Sequence, residues 1–395
     1  MQVHPPPPCC GARIRNGGVN LLLVSRDRAW LTAVRRAARR LGGGGVVTCG
    51  GRDALARLAG CDPHYSHLLV DCAAAEGLFD ELADLATEVA CPDTDMLVLG
   101  RAAKHRPRVR AIQAATTRSV LEALTAEPLA RDIRAIDLAD LQAALDGARI
   151  ETRYQPVVRF ADRRAVGLEA LARINHPRRG TLPPDRFMPM VEDAGLAERL
   201  TALVSDRALA DMAGAVLAEH GLSMALNFPL DVLLCQEALD RLEAARSAAG
   251  VLPGRIVIEL TESRPVQDFA TLRQALETVR TRGYRVVIDD VGPAVPRLAP
   301  LLELPFTGLK LDKELVQKVT ASADAAAFLR QTIGQAKAHG LTVVAEGVET
   351  GEIWAAMHDL GADEAQGFLA ARPLPVAAVP IWLEHWANPV GVNPL

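Results

Sequence analysis

The segment "YRVVIDDVGPAVPRL", Tyr284 to Leu298, decides the fold. Its apolar, β-branched start is the composition of a buried strand. Two adjacent carboxylates, Asp289 and Asp290, close that run, and prolines at 293, 296 and 300 stiffen the next segment. Runs of the same kind recur in both directions along the chain. Strands are expected in "RYQPVVRF" (153–160), "AVGLEALARI" (165–174), "SMALNF" (223–228), "RIVIELTE" (255–262), "GLKLD" (308–312), "TVVAEGV" (342–348) and "EAQGF" (364–368). Helical spacing separates most of them. Seven or eight such units over roughly 240 residues fit a TIM-barrel-type (β/α)8 fold. The first two strands have no helix between them, a departure from the ideal barrel.

Polar residues fall at or near the C-terminal end of strand after strand. They are Glu169, Asn227, Glu259 with Glu262, Asp289 with Asp290, Lys310 with Asp312, Glu346 with Glu349, and Gln366. In a barrel these ends converge on one face, where active sites are built. Each residue alone reads as a helix cap or a solvated charge, but their joint placement reads as a site. Carboxylates gathered there repel one another and resist desolvation unless cations neutralise them. An oxygen-rich set with one amide suits magnesium or manganese better than zinc. Two such ions can clamp the attacking and leaving oxygens of a phosphodiester, with Lys310 orienting the attacking water or helping to deprotonate it.

The order "YQPVV", "GLEALARINHP", "ALNFP", "IELTES", "VIDDVG", "LKLDKELV", "VVAEGVET" and "AQGFLAARPLP" resembles the EAL family of bacterial cyclic di-GMP phosphodiesterases, from about Leu138 to Trp386. The resemblance implies hydrolysis of one phosphodiester bond to give linear pGpG. It also implies one metal held by Glu169, Asn227, Glu259 and Asp289, and a second bridged by Asp289 and held with Asp290. Lys310 and Glu346 match groups that position the water, and Gln366 completes that wall. Gln155 and Arg173 match residues that hold guanine and phosphate, and Asp312 and Glu349 match supporting acidic positions. His176, just before a proline, reads as a turn residue.

The chain departs from the family after the aspartate pair. Where the family reads DDFGTGYSSL, this chain reads "DDVGPAVPRL". Proline supplies neither an N–H nor a hydroxyl, and Ala294 disfavours left-handed geometry. In the family this loop is held by a glutamate matching Glu262 and couples metal binding to dimerisation. A weak or conditional enzyme is therefore expected. A non-catalytic cyclic di-GMP receptor and a signalling scaffold are the alternatives.

The first part of the chain alternates strand and helix, from "VNLLLV" through "HLLVD" to "SVLEALTAE", which predicts a doubly wound, flavodoxin-like unit. It resembles a response-regulator receiver with degraded chemistry. Asp71 falls at the phosphoacceptor position. The acidic-pair positions hold Ser25 and Arg26, leaving only Asp27 nearby, and the hydroxyl and lysine positions hold Gly100 and Thr117. Dimerisation or docking of a signalling protein is expected of it, without ordinary phosphorylation. "LGGGGVV" lacks the Gly-Lys-Ser/Thr of a phosphate loop, and His64 with His67 has no ligand partners nearby.

The expected organisation is a disordered tail (1–18), a receiver-like domain (19–126), a helical linker (127–150) and the barrel (151–395). The chain of 395 residues is 49% hydrophobic and 23% charged, with a formal net charge of −4. That balance argues against a nucleic-acid polymer or an anionic membrane as partner. Seven cysteines without CxxC spacing, no apolar run of spanning length and no signal-peptide pattern predict a reduced, cytoplasmic protein.

Overall fold

The computed structural model describes residues 19–42, 45–60, 65–87, 95–99, 109–126, 136–261, 268–293 and 298–387. The expected tail (1–18), Gly100, His64 and Glu262 lie outside these residues. The chain divides into two compact units. Of the described residues, one holds Ile150–Ala172 and those from Met188 onward; the other holds those from Val19 to Arg149 together with Arg173–Phe187. Of the helical linker expected over 127–150, the helix among the described residues is Leu138–Asp146, and it groups with the first strands of the chain.

The unit containing the first strands is built on β1 (Leu21–Val24), β2 (Val46–Cys49), β3 (His67–Asp71), β4 (Asp95–Leu99) and β5 (Val109–Ile112). All pairings are parallel and the order is β2-β1-β3-β4-β5. This is the flavodoxin-like order of a doubly wound sheet. Leu21 and Leu23 share a buried cluster with Trp30, Val34 and Ala37 of helix Arg28–Arg40 and with Val120 and Leu124 of helix Thr117–Thr125. Alternation along a strand sends Leu22 to the opposite face.

The barrel is formed by β6 (Ile150–Arg159), β7 (Ala165–His176), β9 (Ser223–Pro229), β10 (Ile256–Thr261), β11 (Arg285–Val291), β12 (Gly308–Leu311), β13 (Thr342–Ala345) and β14 (Glu364–Gln366). A short strand, β8 (Gly180–Leu182), adds antiparallel to the end of β7 and was not expected from the sequence. The ring closes through β6 and β7, and β6 is antiparallel to β14. The missing helix between the first two strands follows from this geometry, because a reversed strand is reached by a tight turn rather than a crossover.

Register explains how the strand ends meet. Asn227 lies opposite Glu259, while Glu169 lies opposite Ala225, two residues short of Asn227. Glu259 lies opposite Val287, two short of Asp289, and Lys310 opposite Val344, two short of Glu346. Strands of a closed barrel tilt, so residues at one height step along the register from strand to strand. Two-residue steps keep every side chain pointing inward. Ala225, Val257 and Val287 form a buried cluster, each two residues before Asn227, Glu259 and Asp289 respectively. The polar layer rests on this apolar one.

Candidate active site

Lys310 sits at the centre of the polar layer, 2% exposed. Its Nζ lies 2.6 Å from Glu346 Oε1, 3.0 Å from Glu259 Oε2, 3.2 Å from Asp289 Oδ1 and 3.3 Å from Glu169 Oε2. Burial alone would strip this ammonium of its proton, but the four carboxylates overcome that and hold its pKa well above the ordinary lysine value. Lys310 is thereby held as a cation that donates to all four carboxylates.

The carboxylates differ in what they can bear. Burial would raise Glu169, yet Lys310 and hydrogen bonds from Asn227 Nδ2 (2.8 Å) and Gln366 Nε2 (2.6 Å) hold it below the usual range. Glu259 is raised well above that range by burial and by its acidic neighbours, which Lys310 only partly offsets. Burial also pushes Glu346 up to about 8, and burial with the neighbouring Asp289 raises Asp290. One ammonium cannot compensate this many carboxylates at close range.

The register of β11 against β12 shifts between Ile288 and Val291, across the aspartate pair. Asp290 takes φ +52°, an uncommon conformation for a residue other than glycine. In a regular strand, adjacent side chains point to opposite faces; a bulge can re-aim one of them. Carboxylate oxygens of Asp289, Asp290 and Glu346 consequently lie within 4.8 Å of one another.

These residues fit hard divalent cations. The donors are oxygens, the negative charge exceeds what Lys310 supplies, and Gln366 Oε1 is buried without a hydrogen-bond partner among the described residues. Around the cluster, Gln155 accepts from Gln366 Nε2 (3.2 Å) through Oε1 and donates from Nε2 to Ala371 O (3.2 Å). Arg173, four residues beyond Glu169 along β7, is buried.

Asp312 and Glu349 are engaged by protein groups. Asp312 caps helix Lys313–Gln317 by accepting from Leu315 N at 2.8 Å. Glu349 accepts from Gln317 Nε2 at 2.9 Å and lies 3.5 Å from Lys313 Nζ. Sequence reasoning passed over Gln317 and Lys313, since a strand-end rule does not reach into the following helix, Lys313–Gln317. His176 accepts the N–H groups of Arg178 and Arg179 at Nδ1, both at 3.2 Å, a turn-forming arrangement.

Receiver-type chemistry is poorly served at the end of β3. Asp71 Oδ2 accepts from Ser25 Oγ at 3.3 Å. Asp27, the remaining acid, caps helix Arg28–Arg40 by accepting from Ala29 N. Arg26 pairs with Glu76 at 2.6 Å rather than with Asp71. Thr117 opens helix Thr117–Thr125, and no lysine occurs among the described residues of this unit.

Comparison with known proteins converges on the barrel. The family model described as EAL domain matches residues 138–373. The cyclic di-GMP phosphodiesterase RocR of Pseudomonas aeruginosa is 31% identical over 252 residues, covering 63% of this chain and 64% of RocR. The cyclic di-GMP phosphodiesterase NbdA of the same species is 34% identical over 248 residues, 62% of this chain and 32% of NbdA. A solved structure of the PaMucR phosphodiesterase in complex with c-di-GMP superimposes with a TM-score of 0.57 at 30% identity, covering 60% of this chain and 97% of that one. The chain thus spans about a third to two thirds of the length of these two curated relatives. A closed eight-stranded barrel with this carboxylate–lysine layer, matched across well over half of its length, belongs to the EAL domain family.

Proposed function

We propose that this chain hydrolyses one phosphodiester bond of cyclic di-GMP to give linear pGpG, using two magnesium or manganese ions. The reading rests on the convergence of acidic side chains from successive strand ends around Lys310. Similarity to RocR and NbdA, both named as cyclic di-GMP phosphodiesterases, supports the substrate.

Glu169, Asn227, Glu259 and Asp289 would hold one ion, and Asp289 with Asp290 the other. Bound there, the ions supply charge stabilisation at the phosphoryl oxygens and lower the pKa of water. The chain's own residues do the positioning. Lys310 draws Glu169, Glu259, Asp289 and Glu346 together from four strands, so their oxygens converge before substrate arrives. Glu346 and Lys310 orient the water; Gln366 fixes Glu169 from the other side. Arg173 offers a fork of donors to phosphate, and Gln155 offers its amide to guanine. Water adds to phosphorus, the ester bond to the 3′ oxygen breaks, and that oxygen leaves as a hydroxyl.

The doubly wound unit serves dimerisation or partner docking in this reading, and the site of action is the cytoplasm. No helix among the described residues is long and apolar enough to cross a membrane.

The deciding experiment incubates purified protein with manganese and cyclic di-GMP, follows pGpG by chromatography and measures binding by calorimetry. Formation of pGpG that Glu169→Ala abolishes supports the enzyme. Micromolar binding without product would instead establish a receptor, the reading that the altered loop at 293–297 favours. Neither product nor binding would leave a scaffold.

A further inference from the structure

Three loops at the rim of the barrel are locked together beside the acidic cluster, and one residue crosses all of them. Glu346 is followed by the turn Gly347-Val348-Glu349. Val348 N donates to Gln366 O at 3.1 Å, and Leu369 N donates to Val348 O at 3.0 Å. At Gly367 an added Cβ would run into the Val348 backbone, so the turn after β13 lies flush against the turn after β14.

Lys313 spans this junction. As the first residue of a helix whose cap is Asp312, it has a fixed origin at the end of β12. Its stem passes so close over Gly347 that a Cβ there would collide with Lys313 Cγ, and Gly347 takes φ +66°. Its ammonium lies 3.5 Å from Glu349 and 5.3 Å from the centroid of the Phe368 ring. That ring also carries the Arg372 guanidinium, 4.3 Å from its centroid. A side chain held at its base, along its stem and at its tip has lost the freedom of an ordinary surface lysine.

We propose that Lys313 is a positioning residue for Glu346. Its stem straps the Glu346–Glu349 turn at the height where Glu346 meets Lys310, Asp289 and Asp290. The inference rests on the metal-cluster reading above, and its test does not need turnover.

The test uses the sign of electrostatics. Removing a cation beside an acidic site by itself favours divalent binding, so any weakening must come from the lost stem. Lys313→Ala and Lys313→Met both remove the charge, but only methionine keeps a stem and an aromatic contact for Phe368. Mn2+ is titrated into the full chain, and free ion is followed by electron paramagnetic resonance, with melting curves for each variant. Lys313→Ala is expected to weaken Mn2+ binding about tenfold, while Lys313→Met binds as tightly as wild type or tighter, both melting close to wild type. Where turnover is present, Lys313→Ala lowers kcat and leaves KM near its wild-type value.

Equal or tighter Mn2+ binding by Lys313→Ala would overturn the proposal, as would an equal weakening in both variants. A rise in KM alone would overturn it in favour of a substrate contact. A wild type that binds Mn2+ but forms no pGpG overturns only the functional reading.

Discussion

Lys310 Nζ and Glu346 Oε1 lie 2.6 Å apart, on β12 and just past the end of β13, and this short pair anchors a buried cation among four carboxylates. The arrangement fixes where negative charge collects before any ligand binds. Its consequences are measurable in stability as well as in turnover.

Replacing Lys310 with methionine leaves buried carboxylates without their counter-charge. Breaking a buried pair in this way costs about 3–5 kcal/mol. Denaturant unfolding without divalent ions should show a loss of that order. Added Mn2+ should restore part of it, because the ion supplies the missing positive charge. If Mn2+ leaves the variant's midpoint unmoved, these residues are not a cation site.

Stability of the metal-free protein should fall as pH rises. The Glu346 carboxyl, ordinarily near 4.5, is pushed up to about 8 in the folded state by burial. Between those values the folded chain holds a proton that the unfolded chain has released. Stability therefore declines with rising pH across that window and levels off above it. Melting temperatures in chelator should follow that slope, and Glu346→Gln should reduce it, leaving the part from Glu259 and Asp290, which are also raised. Saturating Mn2+ should flatten it, with protons released on binding.

The loop after the aspartate pair is the place to raise activity. Pro293→Thr, Ala294→Gly and Pro296→Ser together return the hydroxyl groups and the backbone freedom of the family pattern. Turnover of the triple variant should exceed wild type by about tenfold, equivalent to roughly 1.4 kcal/mol in the barrier. A kcat at or below wild type would mean that the prolines hold a working pose.

Asp71 should resist a small phosphodonor such as acetyl phosphate. With Asp27 capping a helix and Arg26 paired to Glu76, nothing beside Asp71 among the described residues gathers the charge that phosphoryl transfer requires. Intact-mass spectrometry should show no added phosphate on wild type. A phosphate present in wild type and lost in Asp71→Asn would reverse this view of the unit.

The sequence alone determined the eight barrel strands and the polar residues at or near the ends of seven of them, because period-2 burial and turn punctuation are local. The order of motifs also carried the family. Tertiary structure decided what those residues do to one another. Two-residue register steps between tilted strands, which no single strand encodes, bring Glu169, Glu259, Asp289 and Glu346 onto one ammonium. The same closure buries the Lys310 ammonium among carboxylates from several strands, an arrangement set by distances across the barrel. The bulge that re-aims Asp290 and the strap formed by Lys313 likewise arise from packing between segments from different strands and loops.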